Sequence, residues 1–235
     1  MEEQARGAYR KLSRPEASAA VTSLGWRLVL GELRTEVLTG SLPLAADVAA
    51  RAASVAGADG HLRLDVRADR VLLALQTAAV GWVTERDVEL AQRITAAAAE
   101  LRLDTVSGGG GRSVQVLEIG IDTLDAGAIR PFWQALLGYV DEPGRSGPWD
   151  GLVDPLGQGP AIWFQRMEAP RPQRNRIHFD VSVPHDEAEP RIQAALAAGG
   201  RVINDARAPA FWVLADAEGN EACVTTWQGR DETSA

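Results

Sequence analysis

The sequence predicts an α+β protein of two domains, a two-layer α+β sandwich followed by paired βαβββ modules. Three observations carry this. A glycine run, Ser107-Gly108-Gly109-Gly110-Gly111, offers no apolar residue to bury and reads as a flexible linker. Before it, segments of helical and strand periodicity follow the order α-β-β-α-β-β-α in about 90 residues. After it, the unit β-α-β-β-β is written twice. The expected domains are therefore 1–106 and 113–235, with 107–112 as the linker.

Element by element, Ser13-Arg14-Pro15-Glu16 has capping-box spacing with proline in the first turn, and predicts a helix running to Leu24. Trp26 to Thr39 alternates apolar and polar residues, as one or two strands do. Leu44 to Ala58 has apolar residues at helical spacing, with Gly57 and Gly60 as candidate terminators. His61 to Val66 and Val71 to Gln76 form a strand pair turned at Ala68-Asp69-Arg70, and Thr84 to Leu101 is a helix with Thr84 as N-cap and Asp87 at the acidic capping-box position.

In the second half, strands Val114 to Asp122 and Arg176 to Val183 each precede a helix, Ala126 to Leu137 and Glu187 to Ala198. Short strands follow at Tyr139 to Glu142, Trp149 to Asp154 and Ala161 to Arg166, then at Arg201 to Asn204, Trp212 to Ala215 and Ala222 to Trp227. A repeat of about 60 residues is too long for a solenoid and predicts two pseudo-symmetric modules sharing one sheet and cleft.

Composition narrows the function classes. The net charge is -8, with 32 acidic and 24 basic residues and no basic run, which argues against a nucleic-acid partner. Apolar stretches fall short of the ~20 residues of a membrane span, and Met1 to Lys11 is charged where a signal peptide is apolar. Cytoplasm is the expectation. Cys223 is the single cysteine, so neither an internal disulfide nor a cysteine-only zinc cluster can form.

The second half carries a helix signature Phe132-Trp133-Gln134-Ala135-Leu136-Leu137-Gly138, the strand Arg176-Ile177-His178-Phe179-Asp180, and the terminal run Asp216-Ala217-Glu218-Gly219-Asn220-Glu221-Ala222-Cys223-Val224. On these residues, 113 to 228 resemble a glyoxalase-like domain of the vicinal oxygen chelate superfamily. The resemblance implies a cleft for a small-molecule ligand and a divalent metal held on the first and last strands of each module. Those four positions fall on Glu118, His178, Ala161 and Cys223. Ala161 has no donor, and Glu221, two residues before Cys223 on the same strand face, is a substitute ligand. The metal set is then Glu118, His178 and Glu221, and the alternative is a metal-free binding or sequestering protein that keeps Glu118 and His178 as remnants. Cys223 reads as a small buried hydrophobe. Arg171, Arg174 and Arg176 flank the loop entering the His178 strand, where they would grip an anionic group or form a solvated edge. Trp163 and Trp212, with Trp149 and Trp227, would line a pocket for a flat ligand or pack the core.

The first half carries Leu24-Gly25-Trp26, Val71-Leu72-Leu73-Ala74-Leu75-Gln76-Thr77 and Gly81-Trp82-Val83-Thr84-Glu85-Arg86-Asp87-Val88-Glu89-Leu90-Ala91. Residues 12 to 101 thereby resemble pterin-4a-carbinolamine dehydratase, which dehydrates 4a-hydroxytetrahydrobiopterin. That chemistry needs a general acid for the leaving hydroxide and a base for the ring-nitrogen proton. The family supplies them from His-His-Pro, which falls on Gly60, His61 and Leu62, and from a later His, which falls on Ala78. His61 alone remains. The missing imidazoles point to a retired enzyme kept for ligand binding or dimerisation; the alternatives are an active dehydratase (a lyase) using His61 and a metal-dependent lyase, isomerase or dioxygenase in the second half. Both resemblances imply a homodimer.

Overall fold

The computed structural model describes residues 9–108, 113–170, 173 and 177–229. Two compact units are present, Met1–Val116 and Leu117–Ala235.

In the first unit, helix α1 (Arg14–Val21) opens on the expected capping box. The Ser13 hydroxyl accepts from the Glu16 amide, and the Glu16 carboxylate accepts from the Ser13 amide at 2.8 Å. Those Ser13 hydrogen bonds, with help from Arg10, hold the Glu16 carboxyl down at about 2. A single 3-10 turn ends at Gly25, whose φ of +79° and approach to the Thr105 carbonyl leave no room for a Cβ. Strands β1 (Arg27–Val29) and β2 (Glu32–Leu38) form a hairpin. Helix α2 (Leu42–Ala53) buries Ala45, Val48, Ala49 and Ala52. Strands β3 (Leu62–Val66) and β4 (Arg70–Leu75) form a second hairpin, and α3 (Glu85–Glu100) follows with its Thr84/Asp87 capping box formed. The antiparallel sheet runs β1-β2-β4-β3, and β5 (Thr105–Val106) pairs with β2.

Some boundaries and one strand differ from the sequence expectation: the first helix gives way to the 3-10 turn after Val21 instead of running to Leu24. Helix α2 begins two residues earlier, because Pro43 occupies its first turn after Ser41, and ends at Ala53, where the Ser54 hydroxyl bonds back to the Ala50 carbonyl at 2.7 Å. Strand β5 was not anticipated: two residues are too few to show a period.

In the second unit, β6 (Glu118–Thr123), α4 (Ala126–Leu137), β7 (Val140–Asp141), β8 (Leu152–Val153) and β9 (Ala161–Arg166) make one module. The second is β10 (Phe179–Ser182), α5 (Ala188–Ala197), β11 (Arg201–Asn204), β12 (Phe211–Ala215) and β13 (Glu221–Thr225). Strand orders are β6-β9-β8-β7 and β10-β13-β12-β11, with the first strand parallel to the last in each, so the repeat is obeyed strand for strand.

The expected single shared sheet is corrected: among the described residues the modules form two four-stranded sheets. Side chains join them instead. One core holds Ile129, Phe132, Trp133 and Leu136 of the first module with Ile192, Ala195, Leu214 and Val224 of the second. Trp133 Nε1 donates to Asp216 at 3.0 Å, and the Glu218 carboxylate accepts from the Leu124 and Asp125 amides and the Thr123 hydroxyl.

Candidate functional site

In the first unit, the end of β4 meets the start of α3, and this junction builds a buried polar cluster. Asp87 is wholly buried because the capping box draws its side chain back under Thr84. Its Oδ2 accepts from the Thr84 amide at 2.7 Å and from the Thr77 hydroxyl at 2.8 Å, and the two threonine hydroxyls lie 2.7 Å apart. Its Oδ1 lies 2.8 Å from His61 Nδ1, and the His61 side chain is only 9% exposed. A carboxylate can only accept, so the pair places a proton on Nδ1 and leaves Nε2 as the basic nitrogen. The Thr77 hydroxyl, 3.2 Å from Nδ1, braces the ring further. Asp87 also sits in the first turn of α3, where the helix favours negative charge.

His61 lines a cavity of about 150 Å³ with Glu32, Gly60, Leu62, Gln76 and Ala78 among its walls. Glu32 is buried there and neutralised by two arginines: Arg34 Nε donates at 2.8 Å, and Arg63 donates to its other oxygen. The Tyr9 and His61 rings pack in a T-shaped arrangement with centroids 5.7 Å apart. The sequence singled out His61. It did not point to Thr77 or Glu32, and it read Asp87 as a helix cap; only the fold makes that cap the imidazole's partner.

The second unit places its predicted residues as follows. Glu118 opens β6, exposed, opposite Ala161 in parallel register. Trp163 is 42% exposed on the face of β9 turned from the core, its ring over Gly120, where a Cβ would meet it at 3.0 Å. Trp212 packs against the core, and so does Trp149, which also carries the Arg166 guanidinium 4.3 Å above its ring. Glu221 opens β13 opposite Ala215. His178 is exposed, with Nε2 3.5 Å from Asp180 Oδ1. Donor atoms converge at His178, Asp180 and Cys223, all within 4.8 Å of one another; neither Glu118 nor Glu221 belongs to that group. Arg171, Arg174 and Arg176 lie outside the described residues.

Comparison with known proteins decides the families. Residues 10–97 match the family model "Pterin 4 alpha carbinolamine dehydratase". A Mycolicibacterium smegmatis protein named "Putative pterin-4-alpha-carbinolamine dehydratase" is 36% identical over 85 residues, covering 35% of this chain and 90% of that protein. The chain belongs to the pterin-4a-carbinolamine dehydratase family. Its second half, residues 118–225, matches the model "Glyoxalase-like domain", so the chain is a fusion of the two. Among solved structures, a glyoxalase/bleomycin resistance protein/dioxygenase family enzyme from Burkholderia phytofirmans is 20% identical, covering 46% of this chain and 95% of its own, with a TM-score of 0.39. A glyoxalase-related enzyme from Fulvimarina pelagi is 19% identical, covering 49% and 88%, with a TM-score of 0.36. The fosfomycin resistance protein FosX from Listeria monocytogenes, solved with Mn(II) and a dihydroxypropylphosphonic acid, is 13% identical, covering 48% and 90%, with a TM-score of 0.37.

Of the positions where the resemblance puts imidazoles, only His61 holds one, and it lines a cavity. Gly60 and Ala78, which stand where the resemblance puts the other two, line the same cavity. Gly60 has φ +73°, a conformation that L side chains rarely adopt. In the glyoxalase-like domain the four-position metal set is incomplete: Ala161 offers no donor, and Glu118 stands outside the group at His178, Asp180 and Cys223.

Proposed function

We propose that the dehydratase domain binds a 4a-hydroxytetrahydropterin in the His61 cavity and dehydrates it with His61 as its sole acid–base group. The observation that carries this reading is the 2.8 Å His61–Asp87 contact at a cavity wall. It favours a working enzyme over a retired one, because the cap uses only Oδ2 of Asp87, and the other oxygen orients a cavity-lining imidazole.

One imidazole suffices for the proton balance. Dehydration breaks the C4a–O bond, removes the N5 proton and leaves a C4a=N5 double bond; the proton lost from N5 is the one the departing hydroxide needs to become water. Nε2 accepts that proton, Asp87 stabilises the imidazolium so formed, and the same proton is delivered to the leaving oxygen. Two further imidazoles would let the transfers occur at separate groups, so the single-group enzyme is expected to be slower.

The test is turnover of a 4a-carbinolamine, generated in situ, by the full chain. His61→Ala should lower the rate by about 10²- to 10⁴-fold, the contribution of one positioned acid–base group. A wild-type rate equal to that of the variant would overturn the reading.

For the glyoxalase-like domain we propose small-molecule binding on the strand face that carries Trp163, supported by the exposure of its ring above Gly120.

A further inference from the structure

Of the four positions that the glyoxalase resemblance implies, only His178 and Cys223 come together in this chain, and Asp180, which the resemblance does not imply, joins them. Parallel pairing of β10 with β13 sets Asp180 opposite Cys223, and strand alternation puts His178 on the same face as both. Their donor atoms lie within 4.8 Å of one another, and His178 Nε2 is 3.5 Å from Asp180 Oδ1. Zinc bonds of about 2.0 Å to nitrogen and oxygen and about 2.3 Å to sulfur place tetrahedral donors roughly 3.3–3.7 Å apart. One separation is thus already met, and the others, at most 4.8 Å, lie within about an ångström of that range.

We propose that the second module by itself holds a soft divalent cation, zinc in character, through the His178 imidazole, the Asp180 carboxylate and the Cys223 thiolate. Each donor argues for the type of ion. Imidazole and thiolate favour Zn(II) or Co(II) over Mn(II), Mg(II) and Ca(II), which prefer oxygen. A thiolate and a carboxylate together balance a double positive charge. Cys223 is buried while the His178 and Asp180 side chains are more than half exposed, so an ion seated there has sulfur beneath it and solvent above. Three protein donors with one open position is the arrangement of zinc sites that bind a substrate or water. The first module contributes nothing: Ala161 has no donor, and Glu118 is not among the donors that converge. This site is independent of the reaction proposed at His61.

The experiment is titration of the full-length, reduced chain with Co(II), followed by displacement with Zn(II). Expected is one equivalent bound, with a thiolate-to-cobalt charge-transfer band in the near ultraviolet and proton release as the thiol ionises. His178→Ala, a change at an exposed side chain, should weaken binding at least as much as the roughly 10- to 100-fold lost when a ligand's supporting partner is removed. Cys223→Ser should abolish the band, and Glu118→Gln should leave affinity unchanged. No charge-transfer band in the wild-type chain, unchanged affinity in His178→Ala, or weakened binding in Glu118→Gln would each overturn the proposal. Because the band is read on the wild-type chain, a folding defect in the cysteine variant cannot obscure the result.

Discussion

His61 lies among residues that individually say little. Its Nδ1 is held by Asp87, Asp87 is held by Thr77 and Thr84, and the imidazole is left with one nitrogen to use. The wall beside it is Ala78, where the family resemblance leads one to expect a second imidazole. Restoring that group is the direct test of what the chain has given up. Ala78→His is expected to raise 4a-carbinolamine turnover by up to about 10²-fold, the lower range for one added acid–base group, measured as kcat against the wild-type chain. The same change at Gly60 should not help, because its φ of +73° would strain the backbone that presents His61. The residue in the middle of the site is thus legible in sequence as a histidine at the start of a strand; its partner is not, since Asp87 serves the helix cap and the imidazole with one carboxylate.

Caps and clamps decide how the elements hold together. Glu218 sits in the turn between β12 and β13 of the second module, yet its carboxylate binds the entrance to α4 in the first, accepting from two amides and a hydroxyl. Burial alone would push its carboxyl up, but the hydrogen bonds from Leu124, Thr123 and Asp125 outweigh that and hold it below the usual range. A carboxyl depressed in the folded state contributes stability that is present above its unfolded value and lost as pH falls through its folded one. Melting temperature followed from neutral pH into the acid range should therefore fall less for Glu218→Gln than for wild type, while Glu218→Gln starts lower at neutral pH. Equal acid slopes would mean that the clamp contributes no pH dependence. Asp216, in the same turn, is tied to Trp133 of α4, so this short loop links the two modules where, among the described residues, no strand pairing does.

On the scale of the whole molecule, each unit owns a core. Trp26, Leu33, Leu75, Leu90 and Ile94 fill the first, and Phe132, Trp133, Leu136, Ile162 and Leu214 the second. Residues 1–116 and 117–235, expressed separately, are each expected to fold and to melt in a single cooperative transition by circular dichroism. A half that stays unfolded alone would show that its core is incomplete.

Much of this architecture was legible in order and kind. The capping boxes at Ser13 and Thr84, the helices Ala126–Leu137 and Ala188–Ala197, and the doubled module follow from periodicity and end signals, which are local properties of the chain. The two-residue β5 and the early end of α2 were not, because a pair of residues has no period and a serine back-bond is invisible without coordinates.

The sequence by itself determined two α+β halves, their families and the one imidazole left in the first. Tertiary structure decided which donors meet. Register sets Cys223 beside Asp180 and leaves Glu118 on a separate sheet, and chain reversal between β4 and α3 brings Asp87 under His61. Residues 26 or 43 positions apart become neighbours only through strand pairing and packing, and no local pattern encodes such a distance.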